Sequence, residues 1–137
     1  MINNIDNFFD HYPQPFPFDV KERIKNGYRE TFDINEESDL IFPEKSSKKN
    51  VIKNVLVIGC GYTEGIYHAL RNPKINFTCI DISENAINSC KDISYKYSLE
   101  NITFEKINIL NFNSEIDFDI IFSKNVFQYL DNPIEGF

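Results

Sequence analysis

The chain has 137 residues, which is room for one domain and little of a second. Its 42% hydrophobic and 26% charged content is that of a globular chain and excludes a disordered or collagen-like one. With 14 Lys+Arg against 21 Asp+Glu, the formal net charge is −7 and the sequence pI about 4.8. Nucleic acid, whose phosphates need a basic face, is therefore not an expected partner.

Rings make up 15% of the chain, 13 Phe and 7 Tyr with no Trp, which lets a short chain bury a sizeable core. Cys60, Cys79 and Cys90 form no CxxC pair and are odd in number, so neither a disulfide framework nor a zinc site is expected. His11 and His68 stand apart from any acidic or cysteine cluster, and no metal is expected either. There is no 18-residue apolar run and no signal-peptide-like start. The expected location is the cytoplasm, without a membrane partner.

Residues 1–50 read as an N-terminal extension. Residues 11–18 alternate proline with rings, a composition that favours an extended polyproline-like path. Val20, Ile24 and Tyr28 recur every four residues behind Asp19, which predicts a short helix over 20–29. Residues 33–50 then run from acidic to basic and read as a charged linker.

From Val51 the pattern becomes regular. Val55-Leu56-Val57-Ile58 is a continuous apolar run rich in β-branched residues, as in a strand buried on both faces, and it breaks into Gly59-Cys60-Gly61-Tyr62-Thr63-Glu64-Gly65. A helix with Ile66, Ala69 and Leu70 on one face should follow and stop near Asn72-Pro73. Residues 77–81 form a second strand. Ser83 then caps a helix whose inward face is Ala86, Ile87, Cys90, Ile93 and Tyr97. Further strands are expected over 102–107 and 118–122, and a helix opening after Asp131. Strand and helix alternate. The expected fold is α/β, a Rossmann-like three-layer α/β/α arrangement on a parallel sheet.

A buried strand that breaks into Gly-x-Gly and opens a helix is a nucleotide-site geometry, because glycine accepts positive φ and leaves backbone bare for a ligand. Asp81 lies 22 positions after Gly59, at the end of the second strand, where a carboxylate can accept both hydroxyls of a ribose. A nicotinamide dinucleotide uses the same geometry, but its fingerprint places a third glycine where this chain has Glu64. An acid beside a pyrophosphate is unfavourable, whereas a phosphate-free sulfonium cofactor does not oppose it.

Residues 54–137 resemble the first half of a class I S-adenosylmethionine-dependent methyltransferase. Val55 to Gly61 resembles the family's motif I, with Cys60 at its middle position, and Phe77 to Ser83 resembles the motif whose acid holds the ribose. Ile107 to Leu110 resembles the segment beside the adenine, with Asn108 where Asp is usual. Phe118 to Pro133 resembles motif IV with its following turn. The resemblance implies S-adenosylmethionine as cofactor, contacted by Gly59, Cys60, Gly61, Tyr62, Asp81, Ile82, Asn108, Ile109, Ser123 and Asn125. It makes residues 51–137 a partial methyltransferase domain, acting by direct methyl transfer to an unidentified small-molecule or protein acceptor.

The chain departs from the family at Val57, where an acid is common, and at Thr63, where a third glycine is common. Gln128 and Tyr129 stand where many members carry histidines, so motif IV offers no imidazole base, and no catalytic residue is assigned. An NAD(P)-binding oxidoreductase and a non-catalytic cofactor-binding fragment remain as alternatives. The family's sheet runs 3-2-1-4-5-7-6, and strands one to four are expected here in the order 3-2-1-4. A fragment is expected, whose fourth strand is an open edge through which the chain self-associates.

Overall fold

The computed structural model describes residues 5–11, 34 and 51–136. The helix expected over 20–29, the polyproline-like path beyond His11 and nearly all of the charged linker lie outside the described residues. From that linker, only Ile34 is described: it is buried, and its N–H donates to Asn72 Oδ1 at 3.0 Å.

Four strands form one parallel sheet: β1 (Asn54–Ile58), β2 (Asn76–Asp81), β3 (Ile102–Lys106) and β4 (Ile120–Ser123). Their order is β3-β2-β1-β4, as expected. The β-branched run of β1 takes the centre because its side chains have no polar face to give to water, and Val55 to Ile58 are all buried. In register, Val57 faces Cys79 on one side and Phe122 on the other, and Ile58 faces Ile80 and Ser123.

Alternation then divides the core. Val55, Val57, Phe77 and Cys79 pack with the helices α2 (Glu64–Arg71) and α3 (Glu84–Lys96). Leu56, Ile58 and Ile80 face the other way and are covered by Ile107, Ile109, Phe112, Phe118 and Val126, which belong to turns among the described residues. His68 is a packing residue of α2. It is buried, and its ring stacks on Phe122 at 5.0 Å and 5°.

The ends of elements follow local chemistry. Ser83 Oγ accepts from Ala86 N–H at 3.1 Å and caps α3, as its position predicts. The inward face of α3 is the expected one with Ser94 added; Ala86, Ile87 and Cys90 are buried, and Ile93 and Tyr97 pack at its margin. The side chain of Asn101 donates to the carbonyls of Ala69, Asn72 and Ile75 at 3.0–3.2 Å, tying the end of α2 to the entry of β2. Asp119 Oδ2 accepts from Lys53 N–H and Asn54 N–H at 2.8 and 2.9 Å, which holds its pKa below the ordinary carboxylate value. It anchors the entry of β1, at the opposite end of that strand from the glycine loop.

Two expectations need correction. The fourth strand begins at Ile120, because Asp119 is engaged as this anchor. The helix expected after Asp131 is a single 3-10 turn, Pro133–Gly136, preceded by another at Phe127–Tyr129. Asn132 Oδ1 accepts from Ile134 N–H, which makes a local turn where a helix cap was expected. One element was not expected at all: α1 (Ile5–His11), discussed below.

Candidate cofactor site

β1 and β2 end side by side, and the chain leaving β1 reverses over the end of β2. Gly59 and Gly61 both adopt positive φ, +68° and +52°. The N–H groups of Gly59 and Cys60 donate to Ile80 O at 2.8 and 3.2 Å, and that of Gly61 donates to Asp81 Oδ2 at 2.8 Å. The other oxygen of Asp81 accepts from Ser83 N–H at 2.9 Å. One carboxylate thus clasps the glycine loop and the entry of α3. Burial pushes its pKa up to about 6, against the pull of these backbone donors.

Beneath the loop the three cysteines meet. Cys60, Cys79 and Cys90 are buried and free of disulfides, and Cys90 Sγ donates to Gly61 O at 3.2 Å. Small, weakly polar side chains let the loop sit low on the sheet.

The glycines have different tasks. A Cβ on Gly59 would lie 2.2 Å from Val126 Cγ2, so the side chain that needs the space is Val126 as it crosses from β4. A Cβ on Gly65 would lie 2.3 Å from Cys79 Sγ. Gly65 therefore lets α2 pack directly on β2, which is the task of a third loop glycine, performed here from within the helix. The absence of glycine at Thr63 leaves that close approach intact.

Above the loop lies a cavity of about 460 Å³, within the size range of small-molecule sites. Gly59, Cys60, Gly61, Tyr62, Asp81, Ile82, Asn108, Ile109 and Asn125 all line it. Asn108 Oδ1 caps its own turn by accepting from Leu110 N–H. Asn125 holds a left-handed backbone, φ +59°, unusual for a side-chain-bearing residue and placed at the cavity wall.

Ser123 is the exception among the expected residues. It does not line the cavity; its hydroxyl is buried without a partner among the described residues, and the chain enters the wall only at Lys124. Residues not expected at the site include Phe9, Glu64, Ser83, Tyr129 and Leu130. Phe9 comes from α1, whose apolar spacing (Ile5, Phe8, Phe9 at i, i+3, i+4) was a readable helical signal over one short turn pair.

Residues 49–135 match the family model of a methyltransferase domain. The chain belongs to this class I S-adenosylmethionine-dependent methyltransferase family. Over 96 residues it is 35% identical to malonyl-[acyl-carrier protein] O-methyltransferase 2 of Ilyobacter polytropus, covering 67% of this chain and 34% of that protein. The crystal structure of the plantazolicin methyltransferase BpumL, in complex with a triazolic desmethylPZN analog and SAH, superposes with a TM-score of 0.61 at 26% identity. That match covers 95% of this chain and 43% of the other. The [4+2]-cyclase SpnF shares the fold with a TM-score of 0.57 at 16% identity, over 74% of this chain and 39% of its own. The chain spans about a third of the curated relative it matches. Among the described residues no helix is long and apolar enough to cross a membrane, and no group of three His, Cys, Asp or Glu side chains is placed to hold a metal.

Proposed function

We propose that this chain forms the S-adenosylmethionine-binding part of a methyltransferase. The observation that carries the reading is the hydrogen-bonding state of the loop. The N–H groups of Gly59, Cys60 and Gly61 are all spent inside the protein, so these three offer nothing to a pyrophosphate. Glu64, in the first turn of α2, adds a negative charge to the same wall. A dinucleotide is disfavoured on both counts, while a cation is favoured.

The cavity fits the cofactor in size and donor set. Each Asp81 oxygen has accepted one backbone N–H and keeps a further lone pair, enough to take one ribose hydroxyl apiece. Asn108 has committed its amide oxygen to Leu110, which leaves its amide N–H₂ to donate to the edge of a base. Glu64 and Asp81 set a negative potential where a sulfonium and an amino group would lie.

When bound, S-adenosylmethionine supplies an activated methyl group that passes to an acceptor by in-line displacement. The chain's part is to hold the sulfonium still and exclude water, since alignment of the reacting atoms is the main requirement. Phe9, Val126, Tyr129 and Leu130 give the far wall an apolar surface on which an acceptor would rest. That a cyclase shares this fold is a reminder that the scaffold alone does not specify transfer; the site must.

Thermal denaturation with S-adenosylhomocysteine and NAD in parallel tests the reading. Saturating S-adenosylhomocysteine, at a hundred times its Kd, should stabilise the chain by about 2.7 kcal/mol, and NAD should leave it unchanged. Stabilisation by NAD alone overturns the proposal and favours an oxidoreductase.

A further inference from the structure

The low seat of the glycine loop needs small side chains, and thiols bring a chemistry that packing does not require. Cys60, Cys79 and Cys90 come from the loop, from β2 and from α3, and pack in one cluster. Of the three, Cys60 borders the cavity, whereas Cys79 and Cys90 do not and are fully buried. The thiols of Cys79 and Cys90 hold the Cys60 pKa well below the ordinary thiol value, against the opposing push of burial. The cysteine beside the cavity is thus also the one that most readily becomes a thiolate, the reactive form.

Cys79 and Cys90 differ as partners for it. Cys79 lies in a strand paired on both sides, and its sulfur fills the space that a Cβ on Gly65 would need, so β2 and α2 fix it in place. Cys90 belongs to α3, and its sulfur already touches the loop by donating to Gly61 O at 3.2 Å. Gly61 follows Cys60 directly, and its N–H is the one that Asp81 Oδ2 accepts at 2.8 Å. Held by Cys90 at its carbonyl and by Asp81 at its amide, Gly61 joins the thiols to the ribose-facing carboxylate.

We propose that Cys60 is a peroxide-sensitive thiol which Cys90 converts to a disulfide, and that this disulfide weakens cofactor binding by drawing the loop away from Asp81. The proposal rests on the cofactor reading above. The Cys60 thiolate attacks hydrogen peroxide: an S–O bond forms, the O–O bond breaks, and the leaving hydroxide takes the proton that the thiol gave up. The Cys90 sulfur then attacks that of Cys60. The S–S bond forms, the S–O bond breaks, and the second hydroxide leaves as water with the Cys90 proton. Both sulfurs are oxidised and the peroxide is reduced, so two thiols and one peroxide give one disulfide and two waters. Cys90 thereby loses the S–H that it donates to Gly61 O. A ligand in the cavity covers the approach to Cys60 and holds the loop in its reduced geometry, so occupancy and oxidation oppose each other.

Hydrogen peroxide added to the full chain tests this, with free thiols blocked before digestion and the peptides read by mass spectrometry. The parent should lose about 2 Da and yield a linked Cys60–Cys90 peptide. S-adenosylhomocysteine at ten times its Kd should slow that loss about tenfold, since only the empty form reacts. Calorimetry on the oxidised chain should show an affinity roughly tenfold weaker, the loss expected of one hydrogen bond to a charged group, and a thiol reductant should restore it. Cys90→Ala should stop at the Cys60 sulfenic acid, trapped by dimedone, while Cys79→Ala should still form the disulfide. The linked peptide is read in the parent, so the test stands even where a variant fails to fold. A parent that keeps all its thiols, a disulfide to Cys79 or between chains, or an oxidised chain of parental affinity overturns the proposal. A reduced parent that never binds S-adenosylhomocysteine overturns the cofactor reading itself, and the switch falls with it.

Discussion

Asp81 carries opposed demands at the scale of a single residue. Burial lifts its folded pKa to about 6 from an ordinary 3.8, so the fold favours the protonated form. Its contribution to stability is complete below pH 3.8 and is lost as pH rises through 6. Binding asks for the reverse, because ribose hydroxyls donate best to an ionised carboxylate. Affinity for S-adenosylhomocysteine should therefore tighten between pH 5 and 7 with a midpoint near 6, as read by calorimetry at stepped pH. Asp81→Ala should weaken binding by about 1.5–3 kcal/mol and flatten that pH profile. Unchanged affinity would remove Asp81 from the site. Gly59→Val acts on the fold before it acts on the ligand. Its new Cβ meets Val126 and the positive φ resists a branched residue, so denaturant melts should show a loss of several kcal/mol, on the order of the largest single-residue effects.

Between elements, close approach decides stability. α2 rides on β2 through Gly65, so Gly65→Val should push the helix off Cys79 and cost about 1–3 kcal/mol in equilibrium unfolding. A neutral result would mean that the helix shifts freely, against the buried packing of Ile66 and Ala69 at 0 and 1% exposure. The α3 cap is similarly local: Ser83→Ala should cost roughly 1 kcal/mol from the lost bond to Ala86 N–H. It would also remove the bond that Ser83 Oγ–H donates to Asp10, leaving Asp10 held, among the described residues, by Asn85 alone.

For the whole molecule, the open question is the sheet's β4 edge. β1 is flanked on both sides, but among the described residues β4 pairs only with β1, and Ile121 is 59% exposed. An unpaired strand with an exposed apolar side chain invites another strand. The 137-residue chain should therefore self-associate in light scattering as its concentration rises, and Ile121→Lys should shift it toward monomer. A monodisperse parent at high concentration would show that the edge is protected.

Patterns set by neighbours in sequence were legible in advance. A β-branched run followed by Gly-x-Gly, an acid 22 positions on and a serine before an amphipathic stretch specify strand, loop, second strand and capped helix, because each depends on local backbone preference or on a short period. Those signals were enough for the parallel sheet and for nine residues that meet at one cavity. Contacts between distant segments were not legible. Nothing in the spacing says that Val126 fills the space above Gly59, that Asp119 ties down β1, or that Asp10 reaches Ser83 from 73 positions away. Ser123 illustrates the same limit: nothing in its motif position says that its hydroxyl is buried at the end of β4, in register with Ile58. Local chemistry specifies which elements form, while only their packing decides which side chains share a wall, since that depends on register and crossing that no local window contains.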